Sequence, residues 1–156
     1  NKKMSSVGDI QKVKLNEICR FFGPDSTVSE IADMMDLQDI GAVPIINENN
    51  QLMGVVSERD IVRKLVKNGR DSDLVTAKDI MTSKVITVTK KTTQIDALKL
   101  MQTNKIRHLP IVDDSQKLIN FISHRDIVDP SHGSNKLNFI LLGFAAIILP
   151  AIFIFN

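Results

Sequence analysis

Two four-residue motifs place a hydroxyl, a guanidinium and a carboxylate at the same spacing. They are Ser57-Glu58-Arg59-Asp60 and Ser123-His124-Arg125-Asp126. Each follows an apolar run, so each serine is predicted to cap a helix whose third residue is the carboxylate. The free N–H groups of such a helix start, beside a guanidinium, suit phosphate. A carboxylate that its own cap does not use can accept hydrogen bonds from a vicinal diol, as acidic residues do with ribose. The chemistry that fits is nucleotide binding, and the alternative is a pair of helix caps with no further role.

A loop and a Pro-Ile strand precede each motif and are expected to form the opposite wall of a site. The first loop is Gly41-Ala42-Val43-Pro44, in which glycine allows a close approach of the backbone. The second loop is Arg107-His108-Leu109-Pro110, which offers an apolar wall, a ring and extra positive charge. For His108 the alternative is an exposed loop histidine, and for both prolines it is a purely structural strand edge.

An internal duplication positions these motifs. Residues 26–62 align with residues 92–128 at an offset of 66, without a gap and with 11 identities in 37 positions. Each copy is predicted to form a strand, a helix, two strands joined as a hairpin, and a second helix. Because neither copy is long enough to bury a good core alone, the two are expected to pack sheet against sheet as one body.

The apolar pattern sets the predicted bounds of these elements. The first helix covers residues 28–37, and the hairpin strands and second helices follow. The strands are Val43–Ile46 with Leu52–Val56, and Leu109–Val112 with Leu118–Ile122; the second helices cover 58–67 and 124–129. A leading strand, Val85–Val88, precedes the second copy, and its counterpart near Ile18–Phe22 is poorly matched.

Composition excludes several classes of function. Twenty Lys and Arg against 18 Asp and Glu give a net charge of +2, so nucleic acid is an unlikely partner. The single cysteine, Cys19, excludes an internal disulfide framework and fits a reducing compartment. The sequence has no Gly-rich phosphate loop, no Cys-x-x-Cys and no histidine spacing typical of zinc, so we predict neither an enzyme nor a metal site.

The last 20 residues, 137–156, carry no charged side chain and read as one apolar segment. A helix from Leu137 to Phe155 spans about 28 Å, close to the hydrocarbon core of a bilayer. The segment therefore predicts a C-terminal membrane anchor, with Lys136 and Arg125 placing the rest of the chain on the cytoplasmic side. An apolar helix buried in an oligomer, or a tail foreign to the native protein, are the alternatives.

Five segments together resemble a tandem pair of cystathionine-β-synthase-type (CBS) domains, a Bateman module. They are GAVPI, SERDIV, MTSKVITV, IRHLPIV and SHRDIV. The resemblance implies an α/β (α+β) fold, in which two β-α-β-β-α repeats pack sheet to sheet with pseudo-symmetry, and no catalytic residues. It implies clefts between the halves for an adenosine-containing ligand (AMP, ADP, ATP or S-adenosylmethionine), with no other cofactor required. A homodimer and an output protein of unknown identity are the implied partners.

The resemblance also implies roles for individual residues. Asp60 and Asp126 would hold the ribose hydroxyls. The phosphates would meet Ser57, Ser123, Arg59, Arg125 and His108. The adenine pocket would be lined by Thr87, Val88, Leu109 and Pro110 in the better-preserved half, and by Val43 and Pro44 in the other. Because the leading strand near Ile18–Phe22 departs from the pattern, and Asn120 stands where the first copy has Gly54, the two sites are expected to be inequivalent.

On this basis the chain divides into five parts. They are a polar segment at 1–14, a first repeat at 15–70, a second repeat at 71–130, a linker at 131–136 and the apolar tail at 137–156. The expected function is a cytoplasmic regulatory nucleotide sensor, with the tail as its membrane anchor. The rival hypothesis is an interaction scaffold that dimerises but binds no nucleotide, and a third is the regulatory part of a transporter or channel.

Overall fold

The structure, a computed structural model, describes residues 4–133, and within them the two copies have the same order of elements. The first copy consists of helix α2 (Val28–Gln38), strands β1 (Ala42–Ile46) and β2 (Leu52–Ser57), and helix α3 (Glu58–Asp60). The second consists of helix α5 (Gln94–Asn104), strands β3 (His108–Val112) and β4 (Leu118–Ser123), and helix α6 (His124–Val128). A short helix lies before each copy, α1 (Gln11–Lys14) and α4 (Ala77–Ile80), and 3₁₀ turns cover Val7–Asp9 and Pro130–Gly133.

Each copy contains an antiparallel hairpin with the same register. Ala42 pairs with Ser57 at the open end of the first hairpin, and His108 pairs with Ser123 in the second. Both hairpins carry one irregularity, between Ile45 and Ile46 and at the equivalent position of the second copy. The register therefore places each Ser-x-x-Asp motif directly beside the loop that precedes its Pro-Ile strand, as the duplication predicts.

The leading segments are shorter than predicted but equivalent. Val88 forms a single parallel bridge with Ile111, and Phe22 forms the same bridge with Ile45. The N–H of Val88 donates to the carbonyl of Pro110 at 3.0 Å, and that of Phe22 donates to the carbonyl of Pro44 at 3.1 Å. The expected strand Val85–Val88 is therefore wrong as a strand. The side chains around Phe22 differ from those around Val88. The backbone bridge is nevertheless the same in both copies, because it uses only main-chain groups.

The helix after the first motif is also less regular than the predicted span of 58–67. After α3 the chain forms a π-helical turn at Ile61–Leu65 and a 3₁₀ turn at Val66–Asn68, and it ends at Gly69 with a φ of 61°. The widened turn buries Leu65 in the first core and lets Lys64 Nζ donate to the Ile80 carbonyl at 2.8 Å.

Two hydrophobic cores form, and each is completed by a segment that lies outside its own repeat in sequence. Val7, Ile10 and Val13 are buried in the core of the second copy, together with its strands and α5. Val75, Ala77 and Ile80 are buried in the core of the first copy. Residues 6–14, expected to be part of a polar segment, thus supply apolar side chains to the second core.

A second internal repeat underlies this arrangement. Residues 6–10 read SVGDI and residues 76–80 read TAKDI, at an offset of 70. Ser6 bridges Thr93, and Thr76 bridges Thr27, the equivalent residue of the first copy. Both segments begin with the same capping box, formed by a hydroxyl and an aspartate three residues later.

The two copies contact each other at the hairpin turns with local two-fold symmetry. The N–H of Leu52 donates to the Gln116 carbonyl at 3.1 Å, and that of Leu118 donates to the Asn50 carbonyl at 3.0 Å. These four residues correspond at the offset of 66, so the contact is reciprocal. The pseudo-symmetric pairing of the two repeats is thereby confirmed.

The predicted apolar helix and membrane anchor at 137–156 lie outside the described residues. Within residues 4–133, none of the helices has both the length and the apolar character needed to cross a bilayer.

Candidate functional site

The carboxylate of Asp60 caps its own helix and contacts two further side chains. Its Oδ2 accepts hydrogen bonds from the Ser57 N–H at 2.9 Å and the Ser57 hydroxyl at 2.8 Å. Its Oδ1 accepts from the Thr82 hydroxyl at 3.0 Å and forms an ion pair with Lys64 Nζ at 2.8 Å. Asp60 is 8% exposed. Both oxygens are therefore occupied, and the predicted ribose contact would require at least one of these bonds to break.

These contacts keep the Asp60 carboxylate ionised. Burial alone would raise its pKa, but the hydrogen bonds from Lys64, Ser57 and Thr82 outweigh burial and lower the pKa below the ordinary value of 3.8. In the first copy the carboxylate is thus a fully satisfied structural anion.

Asp126 has the same cap but a different neighbour. Its Oδ2 accepts from the Ser123 N–H at 2.7 Å and the Ser123 hydroxyl at 3.1 Å, and it pairs with Lys12 Nζ at 2.6 Å. Its Oδ1 accepts no hydrogen bond from the residues that the structure describes. The side chain is 26% exposed. In the second copy one carboxylate oxygen therefore remains able to accept a hydrogen bond from a ligand.

Lys12 belongs to this site although it lies outside both Ser-x-x-Asp motifs. It occupies the position equivalent to Thr82 at the offset of 70 that relates residues 6–10 to 76–80. In one copy that position supplies a hydroxyl to the aspartate, and in the other it supplies an ammonium. The signal that could have found Lys12 is the repeat of SVGDI and TAKDI.

His108 lies half-buried at the start of β3 and stacks on Phe121, with ring centroids 5.4 Å apart. Burial is the main cause that lowers the pKa of His108 to about 4. The positive charge of Lys12 also lowers this pKa, whereas Asp126 raises it and Arg107 lowers it further. His108 is therefore a neutral ring at pH 7, and its contact with phosphate would be that of a neutral donor.

The apolar residues predicted to line the adenine pocket are mostly core residues. Val43 and Leu109 are fully buried, and Val88 is 4% exposed. The Pro44 and Pro110 carbonyls accept from Phe22 and Val88, and Thr87 is half-buried. Val43 and Leu109 therefore expose no surface to a ligand in this structure and Val88 almost none, and their role in binding stays a prediction.

A pair of clefts occupies equivalent positions in the two copies. The first cleft, of about 250 Å³, is lined by Ala32, Met35, Asp36, Asp39, Ile40, Glu58 and Ile61. The second cleft, of about 590 Å³, is lined by Arg59, Leu98, Met101, Gln102, Lys105, Ile106, Arg107 and His124. Six lining positions correspond at the offset of 66, so the clefts are copies of one surface feature.

The two clefts carry opposite charge. The first is lined by three carboxylates and no cation, and the second by three cations and no carboxylate. At the end of α2 stands Asp39, and at the end of α5 stands Lys105, both in the left-handed conformation. The sequence does not predict Lys105 as a site residue, and it gives Arg107 only as a source of extra positive charge. The volume and charge of the second cleft suit a phosphate-bearing ligand.

The two predicted arginines lie in different surroundings. Arg59 extends from the first copy into the second cleft, where its guanidinium donates to the Lys105 carbonyl at 3.2 Å. Arg125 is exposed and does not line either cleft. Among residues 4–133, no group of three or more histidine, cysteine or acidic side chains is placed to hold a metal ion.

Comparison with known proteins gives a consistent result. The family model described as CBS domain matches residues 7–67 and 77–133. The chain is 45% identical over 105 residues to the uncharacterized protein MK0525 of Methanopyrus kandleri, covering 67% of this chain and 54% of that protein. The chain thus spans about half the length of the curated relatives it matches.

Two solved structures are similar over most of the described fold. The crystal structure of CBSX2 in complex with AMP is 28% identical with a TM-score of 0.66, covering 80% of this chain and 93% of that one. The CBS domain pair of protein MJ0100, in complex with 5′-methylthioadenosine and S-adenosyl-L-methionine, is 25% identical with a TM-score of 0.66. It covers 79% of this chain and 96% of that one. The family match begins at residue 7, which agrees with the role of Val7 in the second core.

Proposed function

The chain belongs to the CBS domain family, and from this premise we propose that it is a regulatory module whose second copy binds an adenosine-containing ligand that carries phosphate. The observation that carries the proposal is the carboxylate of Asp126. Its Oδ1 accepts no hydrogen bond from the described residues, and the helix that carries it opens at His124, which lines the second cleft. In this proposal a ribose hydroxyl donates to the Asp126 carboxylate, and the phosphate meets the cations of the second cleft.

In this proposal the first copy is the weaker site. Asp60 is buried and fully hydrogen-bonded, so a ribose would have to displace Ser57, Thr82 or Lys64. The three carboxylates of the first cleft would repel a phosphate. Solved relatives support the ligand class, because CBSX2 was crystallised with AMP and the MJ0100 pair with adenosyl ligands. Among AMP, ADP, ATP and S-adenosylmethionine, the cations of the second cleft favour the three phosphate-bearing ligands.

In this proposal the module acts as a sensor rather than as an enzyme. A ligand held between two pseudo-symmetric copies favours the angle between them at which it binds best, and a homodimer transmits that change to an output protein. The rival scaffold would dimerise with no response to nucleotide. We assign the module to the cytoplasm.

The ligand is tested by thermal unfolding of the full chain with AMP, ADP, ATP and S-adenosylmethionine. A ligand at 100 times its Kd adds about 2.7 kcal/mol and raises Tm by several degrees. Asp126→Asn keeps an acceptor for the Ser123 cap but removes the charge, and we expect it to abolish most of the shift. Asp79→Asn is the matched control, because Asp79 caps the Thr76 helix start in the same way and is exposed.

The preparation must first be shown to be free of nucleotide. The chain has no Trp and no Tyr, so bound adenine would dominate the absorbance at 260 nm. An unchanged Tm with all four ligands in nucleotide-free protein would favour the scaffold. If Asp79→Asn also lost the Tm shift, the loss in Asp126→Asn would not indicate a ligand contact at Asp126.

We propose that residues 137–156 attach the module to a membrane. The support is the sequence alone, an uncharged apolar segment of spanning length. The full chain should float with lipid vesicles in a density gradient, and a chain ending at Gly133 should stay at the bottom. Equal flotation of both chains would contradict the proposal.

A further inference from the structure

Three large apolar side chains are exposed in the short segment 15–21, which follows α1. Leu15 is 61% exposed, Ile18 is 93% exposed and Phe21 is 51% exposed. Single exposed apolar residues are ordinary on a protein surface, but three of them in one short segment, each more than half exposed, are typical of an interaction site. The 15–21 segment therefore presents apolar side chains that a partner can cover.

The 15–21 segment contains an insertion that the second copy lacks. Seven residues separate Lys14 from Phe22, whereas three separate their equivalents Lys84 and Val88, so the first copy is longer here by four residues. The second copy forms the same parallel bridge at Val88 without the extra residues. The exposed apolar side chains are thus not needed for the repeated fold.

The backbone of the segment is fixed near its centre although its apolar side chains are exposed. The side-chain amide of Asn120, a residue that is 2% exposed, donates to the Glu17 carbonyl at 3.0 Å. Asn120 Oδ1 accepts from the Phe121 N–H at 2.8 Å, and the Glu17 N–H donates to the Lys12 carbonyl at 2.9 Å. Asn120 stands where the first copy has Gly54, so the second copy carries a buried amide that holds this segment in place.

The charged residues around these apolar side chains are mainly basic. Lys14 and Arg20 are exposed, and Lys90 Nζ lies 3.5 Å from Asn16 Oδ1. Glu17 is the one acidic residue of the segment. Apolar side chains flanked by lysine and arginine match the surface of a bilayer, because the apolar groups enter the interface while the cations meet anionic headgroups.

The segment also begins close to the point at which the described chain leads into the apolar tail. Cα atoms of α1 lie within 8 Å of Cα atoms of the 3₁₀ turn Pro130–Gly133. From Gly133 to Leu137, the first residue of the tail, the chain reaches at most about 14 Å. A tail that enters a bilayer at Leu137 therefore keeps α1, and the segment that follows it, close to the headgroups.

We propose that the 15–21 segment is a lipid-contact surface that lies on anionic headgroups when residues 137–156 hold the chain at a membrane. The inference rests on the proposed membrane attachment and adds to it the face of the module that meets the bilayer. Leu15, Ile18 and Phe21 enter the interface, and Lys14 and Arg20 contact the anionic headgroups. A few apolar side chains bind a bilayer only weakly and reversibly, so this surface orients a module that the tail holds. A chain ending at Gly133 therefore still stays at the bottom of the gradient.

A fluorescent probe on the full chain tests the contact. In a Cys19→Ser background, Ile18→Cys protein is labelled with bimane and placed in vesicles of phosphatidylcholine and phosphatidylserine that include lipid with a nitroxide near the headgroup. We expect the nitroxide to quench most of the bimane fluorescence, because quenching requires close contact. Asp114→Cys, labelled in the same way, should stay bright, because Asp114 lies in a hairpin turn at the opposite end of β4 from Ser123.

Charge reversal tests the part played by the cations. Lys14→Glu/Arg20→Glu, combined with the label at residue 18, should restore most of the fluorescence, and the chain should still float because the tail is unchanged. The control Lys84→Glu/Lys117→Glu makes the same charge change at exposed lysines outside the segment and should leave the quenching as it was. Vesicles of phosphatidylcholine alone should quench less than vesicles with phosphatidylserine. Circular dichroism checks that each variant is folded.

Flotation of the same samples separates this surface from the membrane attachment. A full chain that does not float overturns both. A full chain that floats with equally bright labels at residues 18 and 114 overturns the lipid-contact surface alone. Quenching that is the same in neutral vesicles and after Lys14→Glu/Arg20→Glu contradicts anionic headgroups as the partner. A label at residue 18 that is shielded from aqueous iodide but not quenched by the nitroxide lipid would mean that a second copy of the chain covers Ile18, which also overturns the proposal.

Discussion

A single histidine gives this protein a pH dependence with a defined window. His108 has a pKa of about 4 in the folded chain, because burial and then Lys12 disfavour its protonation, against 6.5 as an ordinary value. Between pH 6.5 and 4 the unfolded chain therefore binds the extra proton, and the free energy of unfolding falls as pH falls. We expect the chain to lose about 2 kcal/mol between pH 7 and pH 5, measured by urea unfolding.

The substitution His108→Phe should remove most of that dependence, because a phenyl ring can stack on Phe121 and does not titrate. His124→Gln, at an exposed histidine, is the control and should keep it. The contribution of Asp60 lies in another window, since its lowered pKa costs stability only as pH falls below 3.8. A slope that survives His108→Phe would show that another group titrates.

The two motif aspartates show how one neighbour changes the use of the same residue. Both satisfy a serine cap, yet Asp60 has Thr82 and Lys64 on its second oxygen, whereas Asp126 shares Oδ2 with Lys12 and leaves Oδ1 available. The same motif thus gives a buried, fully hydrogen-bonded carboxylate in the first copy and a partly exposed carboxylate in the second. The sequence predicts the motif but not this difference, because the distinguishing residues come from segments outside the motif.

At the scale of elements, the duplication predicts most of the fold. The hairpins and the helix α2 lie within two residues of their expected bounds, because apolar periodicity and turn residues determine them locally. The sequence does not predict that Val7, Ile10 and Val13 are core residues. Three apolar residues in a basic stretch form no local pattern, and they are buried only because they pack into the second core. The leading strand was overestimated because Val85–Val88 has the composition of a strand but only Val88 finds a partner.

The clefts show the same limit for the candidate site. Asp39 and Lys105 end their helices in the same conformation, and nothing local distinguishes the two ends except the sign of the charge. That sign matters only when the residues around each cleft are considered together. The duplication therefore predicts equivalent surfaces, whereas their function follows from the substitutions that make them unequal.

At the scale of the whole molecule, the proposed function requires nucleotide binding to be coupled to the homodimer. A phosphate held by Arg59, Lys105 and Arg107 would neutralise the charge of the second cleft. If the ligand changes the affinity of one molecule for its partner, self-association changes the affinity for the ligand by the same factor, because the coupling is reciprocal. We expect saturating AMP to change the Kd of the dimer by roughly 5- to 150-fold, the usual range of such coupling, measured by sedimentation equilibrium at constant ionic strength.

Adenosine is the control that isolates the phosphate. It can donate its ribose hydroxyls to Asp126 but brings no charge to the cleft, so it should raise Tm while changing the Kd of the dimer less than AMP does. If AMP and adenosine changed that Kd equally, the coupling would come from the ribose contact and not from the phosphate. An unchanged Kd of the dimer with AMP would contradict the proposal that the homodimer transmits ligand binding.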